Sequence, residues 1–126
     1  MDNTPFDDAT ALQIVKLIND LDRLIQSLQA MVPPAKPWQR QLKSLLGQAD
    51  RCMQILRMTE AMEKPDQMIG HAAVDLKSTC RKLRLAIQGS RADAVVRQST
   101  AAVAQMGDSL AKLITQEVRA NSVEQP

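Results

Sequence analysis

The chain has 126 residues, and 44% of them are hydrophobic and 24% charged, which is the composition of a globular domain. It contains one Phe, one Trp, no Tyr and only four Gly. Because β-sandwiches and barrels are built from aromatic and turn residues, this composition argues against them and favours an all-α protein. The net charge of +2 is too small to indicate a nucleic-acid partner by itself.

The amino-terminal segment, the apolar runs and the two cysteines predict where in the cell the protein is located. Residues 1–8 contain three Asp and no apolar stretch, unlike a secretory signal or a transit peptide. No run approaches the ~20 apolar residues of a membrane helix. Cys52 and Cys80 lack the spacing of a redox or zinc motif, so we expect two buried thiols. These features predict a cytoplasmic protein without membrane contact.

Helix one is predicted over residues 5–31. Thr4, Pro5 and Asp7 supply an N-cap hydroxyl, a proline at the first helical position and an acid three residues after the cap. The apolar positions alternate by four and three residues, which is the spacing of a helix that packs along one face. They are Ile14, Ile18, Leu21, Ile25, Leu28 and Val32. The proline-rich segment 33–37 follows.

Helices two and three are predicted over 37–62 and 66–88, on either side of Pro65. The same spacing in helix two runs through Trp38, Leu42, Leu45, Ala49, Cys52, Leu56 and Thr59. In helix three it runs through Ile69, Ala73, Leu76, Cys80, Leu83 and Ile87. Gly89 is suited to end helix three, because glycine adopts the left-handed conformation that closes many helices.

Helix four is predicted over 91–120, and residues 121–126 are predicted as a frayed tail. Ser90 to Asp93 resembles a capping box at its start. Its weaker stripe consists of Val96, Ser99, Val103, Met106, Leu110 and Leu113. Four segments therefore share one helical period.

Short connections determine how four such helices assemble. Loops of about three to five residues force consecutive helices to run antiparallel, because a parallel return needs a crossover as long as the helix. The prediction is an all-α fold, an antiparallel up-down-up-down four-helix bundle that forms a single domain over 1–126. A dimer in which two chains exchange helical hairpins satisfies the same pattern.

No catalytic residue, metal or cofactor is predicted. His71 is the only histidine, which excludes metal sites that need two. It falls on the outward face of helix three, like the single histidine of histidine phosphotransfer bundles. That family places a Lys and a Gly three and four residues further on, where this chain has Val74 and Asp75. Because Asp75 would repel a phosphoryl group, phosphotransfer through His71 is the weakest interpretation.

The predicted bundle separates charge between its two ends. The end that holds the proline-rich loop and Gly89, here called the basic pole, carries the predicted partner-binding residues Lys36, Trp38, Arg40, Lys43, Arg81, Arg84, Arg91 and Arg97. Lys36, Arg40 and Arg91 lie at helix starts, where the helix dipole disfavours cations, so dipole matching does not explain them. The opposite end carries Asp2, Asp7, Asp8, Glu60, Glu63, Asp66 and Glu117. A charged pole that is merely solvated is the alternative.

A second candidate surface is rich in methionine. Met58, Met62 and Met68 meet where helices two and three connect, and flexible Met side chains suit adaptable docking surfaces. The alternative is that they fill gaps at the end of the core.

The sequence thus predicts a non-catalytic protein–protein interaction module, which is an adaptor, a regulator or a small chaperone. Its predicted partner is a protein with an acidic surface. Self-association is also predicted if two chains exchange helical hairpins. Trp38 is the predicted apolar anchor. Nucleic-acid binding through the basic pole is the alternative function. It is weakened because no aromatic residues interleave with the cations and no helix-turn-helix pattern occurs.

Overall fold

Almost all of the described chain is helical. The computed structural model describes residues 8–61, 67–88 and 91–124, without the side chains of 8, 11, 59–61, 67, 68 and 117–124. The helices in these ranges are α1 (Asp8–Met31), α2 (Pro37–Ala61), α3 (Gln67–Gln88) and α4 (Ala94–Glu124), and no strand occurs there. The all-α prediction is confirmed. In these same ranges, no helix combines the length and the apolar character needed to cross a bilayer.

Hydrogen bonds between α1 and α2 show that the two helices run in opposite directions. Near the end of α1, Gln29 Nε2 donates to the carbonyl of Lys43, near the start of α2, at 3.3 Å. Near the middle of α1, Asn19 accepts from the guanidinium of Arg57, near the end of α2, at 3.0 Å. Residue numbers therefore increase along α1 in the direction in which they decrease along α2, so the two helices are antiparallel.

The other helix pairs agree with this arrangement. Arg97, near the start of α4, donates to the carbonyl of Ile87 at the end of α3, whereas Gly107 further along lies against Cys80. The start of α4 also meets the end of α1, because Val96 and Val32 line one cleft. Helix α1 packs on α2 and α4, α3 packs on the same two, and the backbones of the diagonal pairs do not approach each other closely within the described helices. The predicted up-down-up-down four-helix bundle is confirmed.

The core is built from the predicted stripes of the first three helices. All six predicted positions of α1 are buried. In α2 the buried predicted residues are Leu42, Leu45, Ala49, Cys52 and Leu56, and the side chain of Thr59 lies outside the described ones. In α3 they are Ile69, Ala73, Leu76, Cys80 and Leu83, while Ile87 is half-buried. Helical periodicity therefore identifies these three buried faces.

The buried face of α4 agrees with the prediction at Val96, Val103 and Leu110, which are buried, and differs from it at the other three positions. Three predicted core residues are only half-buried: Ser99, Met106 and Leu113. The residue after each of them is the buried one: Thr100, Gly107 and Ile114. At one of these positions the prediction followed the larger apolar Met106, whereas the helix turns the small Gly107 inward. This is possible because small residues allow α4 to approach its neighbours closely.

The bounds of α4 also differ from the prediction. The helix begins at Ala94 and not at Arg91, because Asp93 acts as the N-cap: its Oδ1 accepts the backbone N–H of Val96 at 2.9 Å. The predicted frayed tail is wrong for residues 121–124, which continue the helix. The predicted start of helix one at residue 5, the end of helix two at 62 and the start of helix three at 66 lie outside the described residues.

Gly107 of α4 packs directly against Cys80 of α3. A Cβ atom added to Gly107 would overlap Cys80 Sγ, and Cys80 is completely buried. At Gly47, in the middle of α2, an added Cβ would meet nothing within 4 Å in the described chain. The two helix-interior glycines therefore differ in the space available to a side chain.

We expect Gly107→Ala and Gly47→Ala to change stability in opposite directions. Alanine favours a helix over glycine by about 1 kcal/mol, so G47A stabilises the protein by up to about that amount. G107A destabilises it by about 1–3 kcal/mol, because the buried Cys80 thiol must move. Urea unfolding followed by circular dichroism measures both changes.

The double variant C80A/G107A tests the cause. Removing Sγ relieves the overlap, so the double variant should be more stable than the sum of the two single changes implies. Strict additivity, or a G107A protein as stable as G47A, would contradict this account of the α3–α4 contact.

Candidate functional site at the basic pole

A cleft of about 250 Å³ opens where the end of α1 meets the starts of α2 and α4. Met31 and Pro33 give it apolar surface, together with Trp38. Lys36 and Arg91 bring cations to it from opposite sides of the bundle. The topology therefore joins chain segments that are far apart in sequence, and it does so at the predicted basic pole.

Trp38 connects the cleft to the core. Its ring is half-buried and packs against the core, and it also lines the cleft. The indole Nε1 is buried and has no hydrogen-bond acceptor in the part of the chain that the structure describes. An unsatisfied buried donor costs about 1–3 kcal/mol, so an acceptor that reached this N–H would be stabilising.

The helix starts beside the cleft are satisfied by the chain itself. Gln39 Oε1 accepts the backbone N–H groups of Lys36 and Ala35 at 2.8 and 3.2 Å, which caps α2. Asp93 caps α4 through Val96, as described above. Because these capping side chains take up free backbone donors, the positive character of the cleft comes mainly from side chains.

Lys43 and Arg97 bind the backbone at the ends of α1 and α3. Lys43 Nζ donates to the carbonyls of Gln29 and Val32 at 2.8 and 2.9 Å. Arg97 donates to the carbonyls of Ala92 and Ile87 at 2.9 and 3.3 Å. The last carbonyls of a helix carry partial negative charge and lack intrahelical partners, so these two cations stabilise the fold.

Two more predicted cations also have partners within the chain. Arg40 Nη1 donates to the carbonyl of Ala35 at 3.0 Å, which holds the loop before α2. Arg84 of α3 forms a salt bridge with Asp108 of α4. Both guanidinium groups keep their charge, but their geometry is set by the bundle.

Three predicted cations are exposed and bind nothing in the described ranges through their side chains. They are Lys36, Arg81 and Arg91. Lys36 and Arg91 border the cleft, whereas Arg81 lies on the outer surface of α3. Asp93 is the acidic residue that lines the cleft with them, so the charges of its lining side chains sum to a positive value. The cleft therefore attracts anions more than cations.

The methionine surface is only partly described. Met58 is 55% exposed on α2. Met62 and the side chain of Met68 lie outside the described residues, as do all seven acidic side chains of the predicted acidic end. The methionine surface therefore stays a prediction.

The histidine and the thiols offer little chemistry. His71 is exposed on α3, as predicted. Cys52 and Cys80 are free and buried. Burial raises the pKa of the Cys80 thiol to about 12, with a smaller contribution from the Asp108 carboxylate, and burial also raises the pKa of Cys52. Reactive cysteines need thiolates, so these two are poor nucleophiles. No cluster of His, Cys, Asp or Glu in the described part is suited to hold a metal ion.

The chain matches no family model, no curated protein and no solved structure. A function for it must therefore be argued from the basic pole, residue by residue.

We expect Lys43→Gln and Lys36→Gln to separate the structural cations from the unpartnered ones. K43Q removes the bonds to the carbonyls of Gln29 and Val32, so it lowers the free energy of unfolding by about 1–2 kcal/mol. K36Q removes the same charge from an exposed side chain and changes it by less than about 0.5 kcal/mol. Urea unfolding distinguishes them, and equal effects would contradict the assignment of Lys43 to the α1 terminus.

Proposed function

We propose that this chain is a non-catalytic protein–protein interaction module that binds an acidic segment of a partner protein at the basic pole, as an adaptor, regulator or small chaperone. The observation that supports this most is the cleft bordered by Lys36 and Arg91, whose side chains have no partner in the described chain. We also propose a cytoplasmic location, which agrees with two free, buried thiols.

Charge placement supports binding over a purely structural role. Lys43, Arg84 and Arg97 have interactions within the bundle that account for their positions. The side chains of Lys36 and Arg91 have none among the described residues, and they lie just before helix starts, where positive charge is unfavourable. An acidic partner offsets that cost, and the unpaired charge speeds association by long-range attraction.

A protein partner fits this surface better than a nucleic acid. Proteins that bind nucleic acids non-specifically neutralise several phosphates, and six to ten such contacts are common. Hydrogen bonds and a salt bridge within the bundle hold several basic side chains of this pole. The ones without side-chain partners in the described ranges are Lys36, Arg81 and Arg91, which are fewer than six. Trp38 packs against the core, so its face is not free to stack on an unpaired base.

We expect a fluorescently labelled oligoglutamate peptide to bind the wild-type protein at low salt, as measured by anisotropy. The triple variant K36Q/R81Q/R91Q should bind at least about tenfold more weakly, because it removes the unpartnered charge of the pole. The matched variant K16Q/R23Q/R51Q removes three exposed cations elsewhere on the bundle and should change the affinity by less than about threefold.

Two results would contradict the proposal. One is no binding of oligoglutamate at low salt, and the other is an equal loss in both triple variants. A short DNA duplex is measured in parallel. Binding of the duplex that is tighter than that of the peptide, and that the pole variant abolishes, would favour the nucleic-acid alternative.

A further inference from the structure

We propose that the cleft binds a peptide in which an aliphatic residue is followed directly by Asp or Glu. The carboxylate lies between Lys36 and Arg91, a main-chain carbonyl of the peptide accepts the indole N–H of Trp38, and the aliphatic side chain packs on Met31 and Pro33. This inference rests on the proposed function and specifies the ligand of the same site.

The size of the cleft sets the scale of the ligand. Its volume of about 250 Å³ lies just below the ~300–1,000 Å³ of typical small-molecule sites. One or two side chains fill such a space, whereas a helix or a large cofactor does not fit. The ligand is therefore a short extended element of a partner.

The lining residues select both parts of that element. Lys36 and Arg91 supply two positive charges, against one negative charge from Asp93. One carboxylate oxygen of Asp93 already accepts the N–H of Val96. An entering carboxylate therefore meets net positive charge in a mostly polar cleft, and the exposed side chains of Met31 and Pro33 offer the apolar contact for an aliphatic group beside it.

Trp38 contributes the hydrogen bond that fixes the main chain. Trp38 lines the cleft, and its Nε1 is buried without an acceptor among the described residues, so a carbonyl that reaches the N–H after a rotation of the ring replaces no existing bond. Trp and Arg are also the residue types that most often dominate binding energy at protein interfaces. The cleft thus combines an aromatic anchor with adjacent cations.

The chain contains one tryptophan, so its fluorescence reports on this cleft without a label. The probes are three capped dipeptides: N-acetyl-Leu-Glu-amide, its Leu-Gln analogue without the charge, and its Gly-Glu analogue without the aliphatic group. We expect a saturable change of Trp38 emission with the Leu-Glu peptide. The two analogues should bind about tenfold more weakly.

Variants of the chain identify the contacts. Arg91→Gln should weaken binding of the Leu-Glu peptide about tenfold, whereas Arg51→Gln, which removes an exposed charge from the middle of α2, leaves it unchanged. Trp38→Phe keeps a ring but removes the N–H, and calorimetry should show binding weakened about fivefold. Because Arg91 is exposed and outside the helices, R91Q tests the proposal even where W38F fails to fold.

The outcomes separate this inference from the proposed function. The inference about the Leu-Glu type of ligand is overturned, while the proposed function stands, when oligoglutamate binds but the Leu-Glu peptide leaves Trp38 emission unchanged. The same holds when the Leu-Gln peptide binds as tightly as Leu-Glu, or when R91Q binds like the wild type. A chain that binds neither the dipeptide nor oligoglutamate overturns both.

Discussion

Burial of four apolar stripes in one core is the constraint on which the rest of this molecule depends. Helices of similar length joined by short loops bury their stripes together by running alternately up and down. The α3–α4 pair adds a local requirement, because Gly107 and Cys80 meet where any larger residue at 107 would overlap the thiol. The topology that results places the end of α1 beside the starts of α2 and α4.

The basic pole is a consequence of that topology, and the bundle uses part of it for its own stability. Lys43 and Arg97 donate hydrogen bonds to carbonyls near the helix ends, and Arg84 forms a salt bridge with Asp108. These cations would be expected in a stable bundle with no partner at all. Lys36 and Arg91 are different, since their positions at the cleft have no structural explanation among the described contacts. These two side chains are therefore the ones available to bind a partner.

Much of the fold follows from the sequence, because stripes of large aliphatic residues such as Ile18 and Leu21 leave only one face to bury. In α4 the apolar pattern identifies the buried Val96, Val103 and Leu110 but not the buried Thr100 and Gly107, since neither of these two has a strongly apolar side chain. Only the space beside Cys80 explains why glycine is needed inside. The capping-box pattern puts Asp93 at the third position of helix four, whereas its side chain is the N-cap of α4.

The candidate site was predictable in part. Topology and charge alone place Lys36, Trp38 and Arg91 at one end of the bundle. They do not separate these residues from Lys43 or Arg97, because hydrogen bonds to backbone carbonyls depend on where each side chain can reach. The contribution of Met31 to the cleft was also missed. Its recurrence seven residues after Leu24 was the available signal, since it extends the edge of the α1 stripe to the pole.

Collisional quenching of the single tryptophan tests most directly whether Trp38 lies beside cations brought from the start of α4. Iodide, an anion, should quench the partly exposed Trp38 more efficiently than caesium, a cation, at the same low ionic strength. Arg91→Gln should reduce the quenching by iodide, although residue 91 is distant in sequence from Trp38. Equal quenching by the two ions, with no effect of R91Q, would contradict both the arrangement of the helices at this pole and the charge of the cleft.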